Sequence, residues 1–477
     1  MENLNVILND GSQTVLSESS FEEFKTSLNG RLITSTDADY DVIREIWNGM
    51  HDKRPALIAQ CTGVADVIAC VNFARENNIL VSIRGGGHNV SGSASNDGGL
   101  MIDLSLMKGI RVDPDNLTVH AQGGVTWGDI DRETQVFGLV APGGVVSTTG
   151  IAGLTLGGGL GWLRKKHGLS IDNLLSVDIV TADGNILTAN EKQNSDLFWA
   201  VRGGGGNFGV VTSFEFRLHP VGPMVYLCAP FYPVEMAKEI LPVWRDFMNA
   251  SSDDISGSAG FWTIPSVPDF PEEIHGKRFI GLFTMHCGPV EVGEKILKPL
   301  RELGKPLIDM STPIPWTVLQ TMFDPFFPKG QQLYYFKSTY VDILNDEAFD
   351  TIIKKASNPP QPMILIALWH LGGAMSRVDD EETAFKGRKS PLLLSVDASW
   401  NDPEANDEVI QYAREFLNDL KPFSSGRLYV NFAGFGEEGE DLVKAAYGEN
   451  YKRLSEIKAK YDPGNLFHLN QNIKPGR

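Results

Sequence analysis

Positive charge is scarce in this chain of 477 residues: 42 Lys and Arg stand against 60 Asp and Glu, a formal net charge of −18. A surface that acidic repels phosphate backbones and anionic headgroups, which excludes nucleic acid as a partner. Long apolar runs are missing as well. No segment approaches the roughly 20 continuous apolar residues that a membrane span needs. Residues 1–13 also lack the basic stretch and apolar core of a secretion signal. The expectation is a soluble, cytoplasmic protein with no membrane partner. The only four cysteines, Cys61, Cys70, Cys228 and Cys287, are scattered without a C-x-x-C pair, which argues against a disulfide framework and for reduced, buried thiols. Internal repeats and low-complexity stretches are absent too. What remains, 42% hydrophobic and 21% charged residues, is enough for two packed cores.

Glycine, by contrast, is gathered in runs: Gly85-Gly86-Gly87, Gly157-Gly158-Gly159 and Gly203-Gly204-Gly205-Gly206. Three runs in one region suggest three places where backbone must approach something closely. Around them, apolar residues at helical spacing over 62–78, with Thr62 as N-cap, lead into an apolar strand at 79–83. Residues 110–121 alternate around Asp113-Pro114-Asp115-Asn116, and 176–188 around Asp183-Gly184, so two hairpins are expected. After His219-Pro220 the glycine runs stop, and amphipathic helices alternate with strands expected at 278–287, 332–341, 363–371 and 392–400. The helical stripes are Met236, Ile240, Val243, Trp244 and Phe247; Ile296, Leu297, Leu300 and Leu303; and Val409, Ile410, Ala413, Phe416 and Leu417. A last helix is expected over 442–461. The class is α+β, with helices covering one face of a mostly antiparallel sheet and the other face free to cover a ligand.

Gly204, Gly206 and Gly209 form a literal G-x-G-x-x-G, but a helix (195–201) precedes it and a strand (210–218) follows. A dinucleotide fingerprint has the opposite order and an acidic residue about 20 positions on. A Rossmann nicotinamide site is therefore not expected. The stretch Val81 to Val90 reads as a buried strand entering a glycine nest suited to a pyrophosphate; Arg84 either adds charge there or pairs with a carboxylate.

The residues Arg84-Gly-Gly-Gly-His88-Asn89, the glycine-rich stretch Gly150 to Gly161, Gly168 to Asn173, and Arg202 to Gly209 resemble the berberine-bridge-enzyme-like oxidases. At the far end Tyr429-Val-Asn431, Tyr447 to Asn450, Tyr461 to Phe467 and Asn470-Gln-Asn472 match as well. This family lies within the flavoprotein group that includes vanillyl-alcohol oxidase. The resemblance implies a PCMH-type FAD-binding domain over 1–219 (core about 54–219), a substrate domain over 220–426, and a segment, 427–477, that returns to the first domain. It implies FAD bonded covalently to His88 through the 8α carbon of the flavin, a role a neutral imidazole suits. Many members carry a second link through a cysteine; Val146 stands there, so a single link is expected. Cofactor contacts implied by the resemblance fall on Arg84, Gly85, Gly86, Gly87, His88, Asn89, Gly92, Asp103 and Leu104. They continue at Thr149, Gly150, Gly153, Leu154, Gly158, Gly159, Gly161, Asn207, Gly209, Val210 and Val211, and close with Tyr429, Asn431, Asn470 and Asn472.

Hydride transfer to a flavin also requires removal of a proton from O–H or N–H. Tyr429 and Asn431, read as part of a strand over 427–432, project to one face. Tyr429 is either a proton acceptor, which needs a nearby cation to lower its pKa of about 10, or an aromatic packed on the ring. Lys337 is the expected cation: it stands in a Tyr-Tyr-Phe-Lys-Ser run similar to one in bacterial nicotine-oxidising members, and is otherwise an exposed sheet lysine. His370 and Asp397 are weaker candidates, since buried polar groups usually just find a partner. The resemblance places the family's oxygen gate at Thr149, small enough to admit oxygen. The reading is an oxidase for a small alcohol, amine or sugar-like compound, as a tailoring step in secondary metabolism, with O2 as acceptor and H2O2 as product. A dehydrogenase, an oxygenating enzyme and a non-catalytic flavin binder stand as alternatives, and both monomer and homodimer remain open.

Overall fold

The computed structural model describes residues 4–434 and 440–476, and it is a mixed α+β fold built on a four-stranded, a five-stranded and a nine-stranded sheet. Residues before His219 form a four-stranded sheet in the order Arg31–Ile33, Leu57–Gln60, Leu100–Asp103, Val81–Arg84, the last three parallel. They also form a five-stranded antiparallel sheet whose order is Ile186–Asn190, Leu174–Val180, Val210–Arg217, Thr118–Gln122, Ile110–Asp113. Both expected hairpins are present here, each turning at its Asp-rich loop.

Residues 224–400 supply a nine-stranded sheet whose centre runs Arg278–His286, Ile255–Thr263, Leu365–His370, Leu392–Trp400, Leu333–Val341, all antiparallel. Helices Ala237–Ala250, Val290–Arg301, Asp346–Ala356 and Asn406–Asp419 bury their apolar stripes against one face of it. The other face turns toward the first two sheets. Within the first helix the buried stripe is Ile240, Leu241, Trp244 and Met248, while Val243 sits on its flank, 47% exposed.

Several local expectations need correction. The helix Val64–Glu76 is capped at Gly63, not Thr62. The Asp66 carboxylate accepts from the backbone and hydroxyl of Thr62 and from the backbone of Asn29 and Gly30, so Thr62 is a donor to the helix rather than its cap. The strand after this helix begins at Val81, because Ile79 still bonds back to Ala74 and Leu80 pairs with Ile7. Instead of one last helix there are two, Glu440–Tyr447 and Asn450–Tyr461, broken where Gly448 takes φ +52°. Residues 427–432 are not a strand: Val430–Phe432 form a single 3-10 turn.

Two buried ion pairs join distant pieces of chain. Arg388 grips Asp172 with both terminal nitrogens, at 2.9 and 2.7 Å, tying the loop after residue 380 to the Gly168–Asn173 turn. Lys458 and Asp462 pair at 2.6 Å with no solvent exposure. The Lys458 ammonium also donates to the carbonyls of Asn207 and Phe467, and Asp462 accepts from the backbone of Leu466 and Phe467. Every strong donor and acceptor of the pair is thus used, as burial of charge demands. Asn207 completes the clamp, donating to Gln471 O and accepting from Ile473 N. The consequence is that residues 469–473 lie against the Gly203–Gly209 loop.

Candidate active site

The three glycine runs meet two different duties. Gly86 and Gly150 stand back to back: a Cβ on Gly86 would lie 2.3 Å from the Gly150 nitrogen, and one on Gly150 2.4 Å from the Gly86 nitrogen. No side chain fits at either position, so the strand-end loop and the Gly150 segment close on each other as bare backbone. Beside this junction opens a cleft, with about 310 Å³ accessible to the centres of water molecules. Gly85, Gly86, Gly87, His88, Asn89, Leu104, Thr149, Gly150, Gly153, Leu154, Gly209, Val210, Val211 and Asn470 all border it. Gly158, Gly159 and Gly161 do not; side chains there would strike the Phe385 ring, Ser170 and the Gly143 carbonyl, so these glycines serve packing. Gly92 is likewise held against the His51 ring.

Arg84 and Asp103 are also absent from the cleft wall. They face each other from adjacent parallel strands, with Arg84 Nε to Asp103 Oδ1 at 2.9 Å and Nη2 to Oδ2 at 2.5 Å, both side chains buried. Of the two sequence readings for Arg84, the carboxylate partner holds, and the pair braces the root of the Gly85–Gly87 loop from behind. Asn207 acts through the tail clamp. The cleft floor it supports includes Leu469, Asn470 and Gln471, and the amide oxygens of Asn470 and Asn472 are buried with no hydrogen-bond partner among the described residues.

His88 opens on the cleft from the loop end. Its Nε2 lies 2.8 Å from Thr148 Oγ1, and its ring stacks on Trp47 at 4.7 Å between centroids. The ring is partly exposed and borders the cleft. Burial first, and the positive charge of Lys329 second, push its pKa down to about 3. The imidazole is therefore neutral at physiological pH and keeps a lone pair for bonding. Val145 and Val146 border the same cleft.

Tyr429 and Asn431 come together although they are not in a strand. The phenol oxygen accepts from the backbone of Gly159 and Leu160, at 3.1 and 3.2 Å, and from Asn431 Nδ2 at 2.8 Å; Asn431 also donates to Leu154 O. Burial raises the Tyr429 pKa, against the opposing pull of these bonds, so the group stays a phenol.

Lys337 is not the cation beside it. In the strand Leu333–Val341, Lys337 pairs across with Val396 and Phe336 with Asp397. Directly opposed residues share a face, and Val396 belongs to the helix-covered core whereas Phe336 and Asp397 border the cleft. Lys337 thus projects away from the site. His370 is also directed elsewhere, its Nε2 2.9 Å from Asn249 Oδ1, and burial lowers its pKa to about 3.

Asp397 is the ionisable group that the sheet brings to the cleft. The Trp369 indole N–H donates to Ser395 Oγ at 3.1 Å, and Ser395 Oγ to Asp397 Oδ2 at 3.1 Å. Its Oδ1 is buried without a partner among the described residues. Burial raises its pKa to about 7, only partly opposed by Ser395, which poises the carboxyl between its two forms near neutral pH. Sequence reasoning underrated Asp397 and passed over the aromatic wall of Trp47, Phe283, Phe323, Phe327, Phe336 and Trp369. Strand alternation pairs Phe336 with Tyr334, but only the register tells which face meets the cleft.

Asn472 lies outside the cleft wall, but the residues that border it fit FAD: bare glycine backbone for close approach, the unpartnered Asn470 amide oxygen for a ribityl or ring donor, and a mostly apolar cleft. A family model described as "FAD binding domain" matches residues 55–190, and one described as "Berberine and berberine like" matches 428–474. An uncharacterized FAD-linked oxidoreductase of Bacillus subtilis, YgaK, is 31% identical over 95% of this chain and 98% of its own. Among solved structures, 6-hydroxy-D-nicotine oxidase from Arthrobacter nicotinovorans is similar with a TM-score of 0.84 and 29% identity, over 94% of this chain and 99% of that one. A glucooligosaccharide oxidase from Acremonium strictum, described with a 6-S-cysteinyl, 8α-N1-histidyl FAD, shares the fold at a TM-score of 0.84, 22% identity, and coverage of 96% and 99%. None of the helices among the described residues is long and apolar enough to cross a membrane. The chain belongs to the berberine-bridge-enzyme-like FAD-linked oxidoreductases and is an FAD-binding enzyme.

Proposed function

We propose that the enzyme is an oxidase: it takes hydride from a small organic substrate, an alcohol, an amine or a sugar-like compound, onto FAD carried by a single covalent bond to His88, with O2 as the final acceptor and H2O2 as product. The observation that carries the reading is that a neutral imidazole and a carboxyl poised near neutrality border one cleft. Bound FAD supplies the two-electron acceptor; the chain supplies everything else. Gly85 to Asn89, Gly150, Gly153 and Asn470 hold the cofactor, and Val146 offers no sulfur for a second bond. Asp397 Oδ1 receives the substrate proton. Tyr429 and Asn431 orient the reacting end through a phenol oxygen already fixed by three donors. Thr149, short and β-branched, leaves a path for oxygen.

Acid precipitation tests the attachment. The pellet is expected to stay yellow, with flavin mass on the peptide that contains His88; colour released into the supernatant would refute the bond. Dithionite-reduced enzyme is expected to reoxidise rapidly in air with formation of H2O2, and slow reoxidation would make it a dehydrogenase instead.

A further inference from the structure

We infer that Asp324 is a positioning residue for the bond between His88 and the flavin, an inference that rests on the single-tether reading above. From the large-sheet half of the chain it fixes the loop that carries Thr148 to the imidazole. That loop is a tight turn over residues 146–149, closed by Thr149 N donating to Val146 O at 3.2 Å. Ser147 and Thr148 are its two corner residues. Ser147 is buried, while Thr148 is exposed and sets its Oγ1 2.8 Å from His88 Nε2.

Every polar group of Ser147 is engaged. Its carbonyl accepts from Gly128 N at 2.8 Å. Its N–H donates to Asp324 Oδ1 at 2.9 Å, and its hydroxyl donates to Asp324 Oδ2. One carboxylate thus accepts twice from one residue, which fixes the turn in rotation as well as in place. Without it the corner can swing, and Thr148 leaves the imidazole.

The stretch that begins at Asp324 also holds the other group on the His88 ring. Asp324 opens the short 3-10 turn Asp324–Phe326, and just beyond it lie the partners of Trp47, whose ring stacks on His88. The Trp47 indole N–H donates to Phe327 O at 2.9 Å, and the Trp47 carbonyl accepts from Gly330 N at 2.9 Å. Residues 324–330 therefore set both contacts of the imidazole. On Trp47 the hold is through the backbone of the stretch, but on the Thr148 turn it depends on a single side chain.

The chemistry explains why a fixed Thr148 matters. With Nε2–H donating to Thr148 Oγ1, the free lone pair stands on Nδ1, and a neutral imidazole so oriented is a nucleophile. In forming the bond, one hydrogen leaves the 8α methyl group and one leaves Nε2, both as protons. The methyl C–H electron pair enters the flavin ring, and the Nδ1 lone pair makes the C–N bond. The ring, reduced by two electrons, passes them with two protons to O2, which becomes H2O2.

The rate of tethering tests the role without any substrate. Wild type, Asp324→Ala, Asp324→Asn, Thr148→Val and the Asp324→Ala, Thr148→Val double variant are purified at intervals after induction. Total flavin is read from the native absorbance, and the untethered share from the colour released by acid. Asp324→Ala is expected to bind flavin at the wild-type ratio but to convert it to the acid-stable form about tenfold more slowly. Asp324→Asn should restore the wild-type rate, since its amide oxygen accepts from Ser147 N and its amide group donates to Ser147 Oγ. The double variant should be no slower than Thr148→Val alone, because Asp324 acts through Thr148. If Asp324→Ala takes up no flavin, Ser147→Ala decides: it keeps the carboxylate, loses one of the two bonds and should slow conversion in the same direction. A wild-type rate in Asp324→Ala or, where that variant stays empty, in Ser147→Ala would overturn the inference. So would a loss in Asp324→Asn equal to that in Asp324→Ala, or additive losses in the double variant. Wild type that surrenders all its flavin to acid, or carries it on a peptide without His88, would instead overturn the tether itself.

Discussion

Thr148 Oγ1 sits 2.8 Å from Nε2 of His88, which fixes one imidazole nitrogen and leaves Nδ1 without a hydrogen-bond partner among the described residues. Trp47, stacked at 4.7 Å, holds the plane of the ring. Together the two contacts choose the nitrogen that is left for a bond to carbon. His88→Ala should therefore release all its flavin on acid precipitation. Thr148→Val should yield a mixed population, with a larger released fraction than wild type, measured by absorbance of the supernatant.

Asp397 must be ionised to accept a proton. Since its pKa is raised to about 7, kcat/KM should fall as pH drops below that value, and Asp397→Asn should lose this limb along with about 10²–10⁴-fold of rate. Stability moves the other way. A carboxyl whose folded pKa exceeds its unfolded value of 3.8 binds more protons when folded, so wild-type stability declines from about pH 4 to pH 7. Asparagine stays neutral, hence the melting temperature of Asp397→Asn should gain on wild type as pH rises, by differential scanning fluorimetry.

Tyr429→Phe removes the oxygen that three N–H groups share and strands the Gly159 and Leu160 amides in a buried loop. A loss of about 1–3 kcal/mol in urea unfolding is expected. Under the proposed roles, in which Asp397 takes the proton and the phenol orients, its rate should fall less than that of Asp397→Asn.

Gly86→Ala drives a methyl into the Gly150 backbone and should yield protein with little bound flavin. Gly63→Ala, where a Cβ meets nothing within 4 Å, should load normally. Flavin-to-protein absorbance ratios distinguish the two.

Lys458→Met leaves Asp462 buried without its cation. A loss of about 3–5 kcal/mol is expected, with faster release of flavin from a His88→Ala, Lys458→Met double variant than from His88→Ala alone.

How far the sequence carries depends on whether local pattern or tertiary pairing decides. The hairpin at Asp183-Gly184 forms as read, and the helix through Ile240 and Trp244 is present, but its buried stripe turns to Leu241 and Met248 while Val243 faces out. Thr62 has the residue type of a cap, yet Asp66, four positions on, takes its donors. Lys337 shows the limit most clearly: alternation separates it from Phe336, but nothing local says which of the two faces the cleft, and the pairing with Val396 decides. Glycine runs announce close approaches without saying to what. Gly86 meets both Gly150 and the cleft, whereas Gly161 meets the Gly143 and Gly144 backbone and not the cleft.

The Lys458–Asp462 clamp also has a bearing on biosynthesis. The wall it secures, residues 469–471, is translated after every other residue that borders the cleft. If FAD is bonded to His88 as proposed, the wall at residues 469–471 closes the cleft only once that stretch has been synthesised, so completion of the site follows translation of residues 458–471.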